Sequence, residues 1–380
     1  MTTPFDVLHF VKDYALGISD CWITPDGSVA FSRLPLATDD LHLNHLFMKE
    51  VTRVGSGVRI AFKTDASVMD LGITASLLVL PWLDPSPLAV DLEVDGELVK
   101  TMPITKYESR GPFGVQPETA GNSELLQFAL GQKGIWKAVQ VWLPQNAHSR
   151  ISHVALDGTV QATEPVGPQW LHYGSSISQA SEVASPSFVW PAVAAKKLGL
   201  ELRSLGLGGN ALLDPFIGDE IIANNPAVVS LKLGINSVNT GCHTVRTFPT
   251  AVNGLLDTIR QGLPSVPILL ISPIFCPPHE EGVGPTLFDP DSGKAKASPK
   301  PEEFIPSALN LKTIREQLRS IFANRSQSDA NLFLLDGLEL FGETDAELLP
   351  DDLHPNHLGY QLMAERFAKS PVVASWVAVR

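Results

Sequence analysis

Four short segments in the second half of the chain carry residue types that can do proton-transfer and nucleophilic chemistry. Asp351-Asp352-Leu353-His354-Pro355-Asn356 sets a carboxylate and an imidazole three residues apart. Across a turn, that spacing lets Asp351 reach the ring, fix its tautomer and stabilise an imidazolium. The alternative is an acidic helix cap beside a surface histidine. Tyr173-Gly174-Ser175-Ser176-Ile177-Ser178 offers hydroxyls just after a glycine, which permits a sharp turn that exposes the next side chains. Taken alone the signal is weak, because Gly-Ser stretches are common loops and a loop is the better reading of this segment by itself. Gly206-Leu207-Gly208-Gly209-Asn210 can bring a backbone N–H close to a ligand, but lacks the G-x-G-x-x-G spacing of a dinucleotide site. Leu233-Gly234-Ile235-Asn236 supplies an amide able to donate a hydrogen bond, although capping a turn is the commoner use of asparagine.

These segments need a frame. From Trp170 onward, short apolar strands alternate with helical stretches. Strands are expected at 170–173, 201–205, 227–233, 266–271 and 332–335, with helices at 187–198, 211–224, 248–261, 306–323 and 355–368. Such alternation gives a parallel sheet covered on both faces, whose ligands bind beyond the carboxyl ends of the strands. Three of the four segments follow the first three strands. The fourth precedes the last helix, where Pro355 suits the first helical turn and holds His354 extended.

The first half has a different period. Gly57 to Lys63 alternates apolar and polar residues, and Leu88–Val94, Asp95-Gly96, Glu97–Lys100 reads as a hairpin with a type I′ turn. Ala138–Pro144 reads as a further strand, and Pro4 to Leu16 as the one helix there. Short strands separated by turn residues predict a β-sandwich or jelly roll. Trp22, Trp136 and Trp142 would pack in its core; an aromatic sugar platform is the alternative. The Pro-containing stretch 161–168 reads as a linker, dividing a domain at 1–165 from one at 166–380. Residues 275–304, rich in proline, glycine and charge, form either a functional loop or a surface insertion.

The 380 residues carry a formal net charge of -13, with 44% hydrophobic and 18% charged positions. This balance disfavours a nucleic-acid backbone or an anionic membrane as partner. The N-terminus lacks a secretory pattern, no apolar run is long enough to span a bilayer, and the three cysteines are scattered, so a cytoplasmic location without disulfides is expected. A metal site built from Asp351, Asp352, His354 and His357 is disfavoured, because no further His or Cys lies at ligand spacing. Neither metal nor cofactor is expected. His172 is expected to pack at the end of its strand, and His243 and His279 to lie in surface loops.

In order, the four segments resemble the conserved blocks of GDSL/SGNH hydrolases, over about residues 168–370. The family's G-D-S is similar to Gly174-Ser175-Ser176, its second-block glycine to Gly209, its G-x-N to Gly234 and Asn236, and its D-x-x-H to Asp351 and His354. The resemblance implies the SGNH (flavodoxin-like) α/β fold, a five-stranded parallel sheet covered by helices. It also implies a triad of Ser176, His354 and Asp351, and an oxyanion hole formed by the Ser176 and Gly209 N–H groups and the Asn236 amide. One departure is Ser175 in place of the family's aspartate, which makes Ser175 a rival nucleophile, with Ser178 another. A β-sandwich ahead of such a domain resembles carbohydrate esterases and the GDSL acyltransferase of tetracycline-type biosynthesis. The expected activity is hydrolysis of a small-molecule O-acyl ester, on a sugar, polyol or metabolite, through an acyl-enzyme. Acyl transfer to an alcohol is the alternative, and a non-catalytic sugar-binding role a third.

Overall fold

The computed structural model describes residues 2–40, 46–78, 87–110, 123–300 and 302–379. Its contacts divide the chain into two compact units: Met1–Pro165 with Val183–Val189, and Val166–Glu182 with Trp190–Arg380. Among the described residues no helix is long and apolar enough to cross a membrane.

The first unit is built from two largely antiparallel sheets. In one, the strands run in the order Glu124–Ala129, Val68–Leu78, Ala147–Leu156, Val29–Ser32, Asp20–Ile23. In the other the order is Val160–Gln161, Arg59–Thr64, Lys137–Trp142, Ala89–Val94, Glu97–Pro103. Inward side chains of both, such as Ile60, Phe62, Leu71, Ile73, Val139 and Ile151, join one apolar cluster with Phe10 of the helix Val7–Tyr14. Asp95 and Gly96 both have positive φ, as a type I′ hairpin turn requires.

Of the three tryptophans expected in the core, Trp142 is buried, whereas Trp22 and Trp136 are not. Strand alternation sends Val139 and Val141 into the core and Trp142 to the opposite face. There its ring lies 4.8 Å from the Arg59 guanidinium and its Nε1 donates to Glu93 at 3.0 Å. Trp22 is half-buried beneath Arg53, and Trp136 is exposed. The apolar core uses Phe10, Phe31, Phe62 and Phe128 instead. The segment 183–189 also belongs to this unit. Ser185 and Ser187 hydroxyls donate to the buried Asp91 carboxylate at 2.7 and 2.6 Å.

In the second unit, five parallel strands are β1 (Gln169–Gly174), β2 (Glu201–Gly206), β3 (Val228–Lys232), β4 (Ile268–Ile271) and β5 (Leu332–Leu335), ordered β2-β1-β3-β4-β5. Register pairs Gly174 with Gly206 and Tyr173 with Leu231, so the turns after β1, β2 and β3 leave from one edge. The final helices dock through a fully buried aromatic group: Trp170 of β1 stacks on Phe367 at 5.2 Å and meets Trp376 edge-on at 5.9 Å. These contacts fix the helix His357–Lys369, and with it the position of His354 just upstream.

Several elements differ from the sequence reading; the helices expected from 187 and 306, for example, begin at Trp190 and Leu311. Asn356 caps the helix His357–Lys369 by accepting from Gly359 N at 3.0 Å, so Pro355 lies outside the first turn. The helix expected from 211 starts at Pro215, because Ala211 N is taken by Asn236 Oδ1 and Leu213 is left-handed. Residues 275–300 hold a two-stranded sheet, Thr286–Phe288 with Ala295–Ala297. That hairpin is tied to the acid–histidine loop by Ala295 N donating to Asp351 O at 2.8 Å and by Lys294 bonded to Asp352.

Candidate active site

Three serines in four positions leave the end of β1, and each has its own partner. Ser175 is buried and caps the short helix Ser176–Gln179, its Oγ accepting from Ile177 N at 3.3 Å. Ser178 is buried and bonds Nε2 of His172 at 2.8 Å. Ser176 is half-buried, and its Oγ lies 2.8 Å from Nε2 of His354. Gly174 permits this packing: a Cβ there would lie 2.2 Å from Ser178 Oγ.

His354 Nδ1 meets Asp351 Oδ2 at 2.6 Å, and Asp351 Oδ1 accepts from the backbone N–H groups of His354 and Leu353 at 2.6 and 3.0 Å. The structure thus brings Ser176, His354 and Asp351 into one hydrogen-bonded line. A neutral His354 with its proton on Nδ1 presents a bare Nε2 to the serine hydroxyl. Burial disfavours the imidazolium, but the carboxylates of Glu182 and Asp351 outweigh it and hold the His354 pKa above the ordinary histidine range. Burial opposes the Asp351 carboxylate as well, yet the imidazolium and its hydrogen bonds keep its pKa low.

Asn236 is buried in the short helix Ile235–Thr240 after β3, reached through Gly234, whose φ of 115° suits only glycine. Its Oδ1 accepts from Ala211 N at 3.0 Å, which docks it against the loop after β2, while its Nδ2 is buried with no hydrogen-bond partner among the described residues. In that loop Gly208 N is taken by Gln179 Oε1 at 3.1 Å, and a Cβ at Gly208 would lie 3.7 Å from that of Ser176. Gly209, at φ 68°, is the next residue along.

Other candidates lie apart from this line. Asp352 pairs with Lys294 rather than a histidine, and His357 begins the helix His357–Lys369 half-exposed. His279 bonds Thr286, and His243 bonds Ser237. Sequence reasoning missed Glu182, whose Oε2 accepts from the buried Tyr360 hydroxyl at 2.8 Å. No spacing marks it, since the pairing spans 178 positions.

A family model for the GDSL-like lipase/acylhydrolase family matches residues 172–362, half of the chain. The chain belongs to this family. Its members are carboxylic ester hydrolases, and the match encloses all four segments of the site. Among solved structures, the chain is similar to the salicylyl-acyltransferase SsfX3 from a tetracycline biosynthetic pathway, at 26% identity over 96% of each chain, with a TM-score of 0.77. The fold is also shared with a family two carbohydrate esterase from Cellvibrio japonicus, at 12% identity over 100% of this chain and 98% of that one, TM-score 0.59. A second such esterase, from Clostridium thermocellum, gives 15% identity over 93% and 97%, TM-score 0.56. No curated protein matches the sequence.

Proposed function

We propose that the protein is a serine esterase that cleaves a small-molecule O-acyl ester through an acyl-enzyme on Ser176. The observation carrying this reading is the continuous contact from Ser176 Oγ through His354 to Asp351. His354 Nε2 takes the hydroxyl proton as Ser176 Oγ bonds to the ester carbonyl carbon. The carbonyl oxygen becomes an oxyanion, held by the Ser176 and Gly209 N–H groups and by Asn236 Nδ2. The buried Nδ2 has no acceptor among the described residues, which supports this role, since a buried donor without an acceptor is costly unless a ligand supplies one. Collapse breaks the ester C–O bond, and the imidazolium gives its proton to the departing alkoxide. Water then loses a proton to His354 as its oxygen bonds to the acyl carbon; collapse breaks the bond to Ser176 Oγ, which takes the proton back from the imidazolium as the acid leaves.

Likeness to SsfX3 over nearly the whole chain favours a second fate for the same intermediate, attack by an alcohol acceptor instead of water. Both fates share Ser176, and they differ in what reaches the acyl-enzyme. The carbohydrate esterase likeness extends over the first unit as well, which supports a sugar, polyol or similar hydroxylated metabolite as the alcohol part. The test is turnover of a nitrophenyl ester by wild type and Ser176→Ala, with and without added polyols. The reading predicts nitrophenol release by wild type alone, and free acid exceeding transfer product. Transfer product in excess would establish the second fate, and full turnover by Ser176→Ala would remove both.

A further inference from the structure

We infer that Glu182 is a positioning residue of the acid–base machinery: a second carboxylate, held by Tyr360, that acts on His354 alongside Asp351. The inference rests on the Ser176 acyl-enzyme reading above.

The helix that starts at Ser176 ends after one turn at Ala180, whose φ of 54° is left-handed. A non-glycine residue adopts that conformation at a cost, and such strain gathers where the chain must be aimed. Two residues later, Glu182 receives the hydroxyl of Tyr360, a fully buried side chain on the helix His357–Lys369. His354 sits immediately before that helix, so one rigid element places both the imidazole and the donor that holds Glu182. The positive group acting on Glu182 is the His354 imidazolium. Burial, with a smaller push from Asp351, holds the Glu182 pKa above the ordinary carboxylate range, while the His354 imidazolium and the Tyr360 hydrogen bond work against that rise and favour the carboxylate.

The groups that act on His354, directly or through Glu182, come from several elements. Ser176 lies on the nucleophile helix, Glu182 on the segment after it, Asp351 on the histidine's own loop and Tyr360, which holds Glu182, on the helix His357–Lys369. Cys276, after β4, donates its thiol to the Asp352 carbonyl at 3.4 Å, and the Asp352 carboxylate is paired with Lys294. Of these, Glu182 and Asp351 are the charges that favour the imidazolium. A base flanked by two carboxylates binds its proton more tightly, so the free base appears at higher pH. It also stabilises the imidazolium that forms during attack.

The test is the pH dependence of kcat/KM for wild type, Glu182→Gln, Glu182→Asp and Tyr360→Phe on a nitrophenyl ester. Glu182→Gln is expected to move the acid limb to lower pH by about one pH unit. Glu182→Asp should return it towards wild type, and Tyr360→Phe should move it the same way as Glu182→Gln by less. A uniform loss at every pH with an unmoved limb would overturn the inference, because that is what a purely structural residue gives. Should Glu182→Gln not fold, Tyr360→Phe reads the same limb. The two failures are distinguishable: an unmoved limb with Ser176-dependent turnover overturns Glu182 alone, whereas turnover that survives Ser176→Ala overturns the underlying reading.

Discussion

Two serine–histidine pairs stand on the same parallel sheet, only a few residues apart at the serine end. His172, within β1, bonds Ser178 and Ser230 at 2.8 and 2.7 Å and is fully buried. Burial, reinforced by Lys232, lowers its pKa to about 3, so it is neutral at every physiological pH. His354, beyond the strand ends, bonds Ser176 at a similar distance but also holds Asp351. A hydroxyl touching an imidazole is therefore common to both pairs. The difference is the carboxylate behind the ring and the partial access of the serine in front of it. With no charge to stabilise an imidazolium, the His172 pair is a hydrogen-bonded core feature, with Trp170 donating to the same Ser230 at 2.7 Å.

This contrast can be broken from its strongest side first. Asp351→Asn should lower kcat by roughly 10⁴-fold, as loss of the triad carboxylate does elsewhere, while leaving the fold intact by circular dichroism. An undiminished kcat would reduce the His354 pair to the status of the His172 pair. Asn236→Ala should cost about 100-fold or more in kcat with KM little changed, which steady-state kinetics resolves. The acid limb of wild-type kcat/KM should lie above the ordinary histidine value of about 6.5. The sign follows from chemistry: the base must be unprotonated, its pKa is raised by two carboxylates, and activity therefore grows as pH climbs through that raised value. Ser178→Ala sharpens the other side. It leaves a buried His172 nitrogen unpaired, worth about 1–3 kcal/mol of stability by denaturant unfolding, and should leave turnover nearly unchanged. Ser175→Ala, which removes a helix cap, should cost about 1 kcal/mol or less and preserve activity.

Much of this frame was legible in the residues. Period-two alternation and Asp95-Gly96 are local signals, and they mark the hairpin whose turn has two positive φ angles. The strand–helix alternation after Trp170 is likewise local, and it places the glycine, serine and asparagine turns on one edge. Asp351 and His354 lie three residues apart, close enough for spacing alone to suggest a contact. What was not legible depends on distant packing. Nothing near Glu182 announces Tyr360, and nothing near Ser185 announces the Asp91 carboxylate 94 positions away. Strand periodicity gives two faces without saying which one joins the apolar cluster, so Trp142 is buried as expected but on the face opposite Val141. The hairpin at 286–297 has strands of three residues each, too short to show a period.

The most direct measurement is covalent labelling of the native protein with a fluorophosphonate, followed by mass mapping of the peptide that contains Ser175, Ser176 and Ser178. One phosphonyl group on Ser176, lost in Asp351→Ala at matched exposure, is the result predicted here. Modification of Ser175 or Ser178, or steady ester turnover with no serine in that peptide modified, would contradict it.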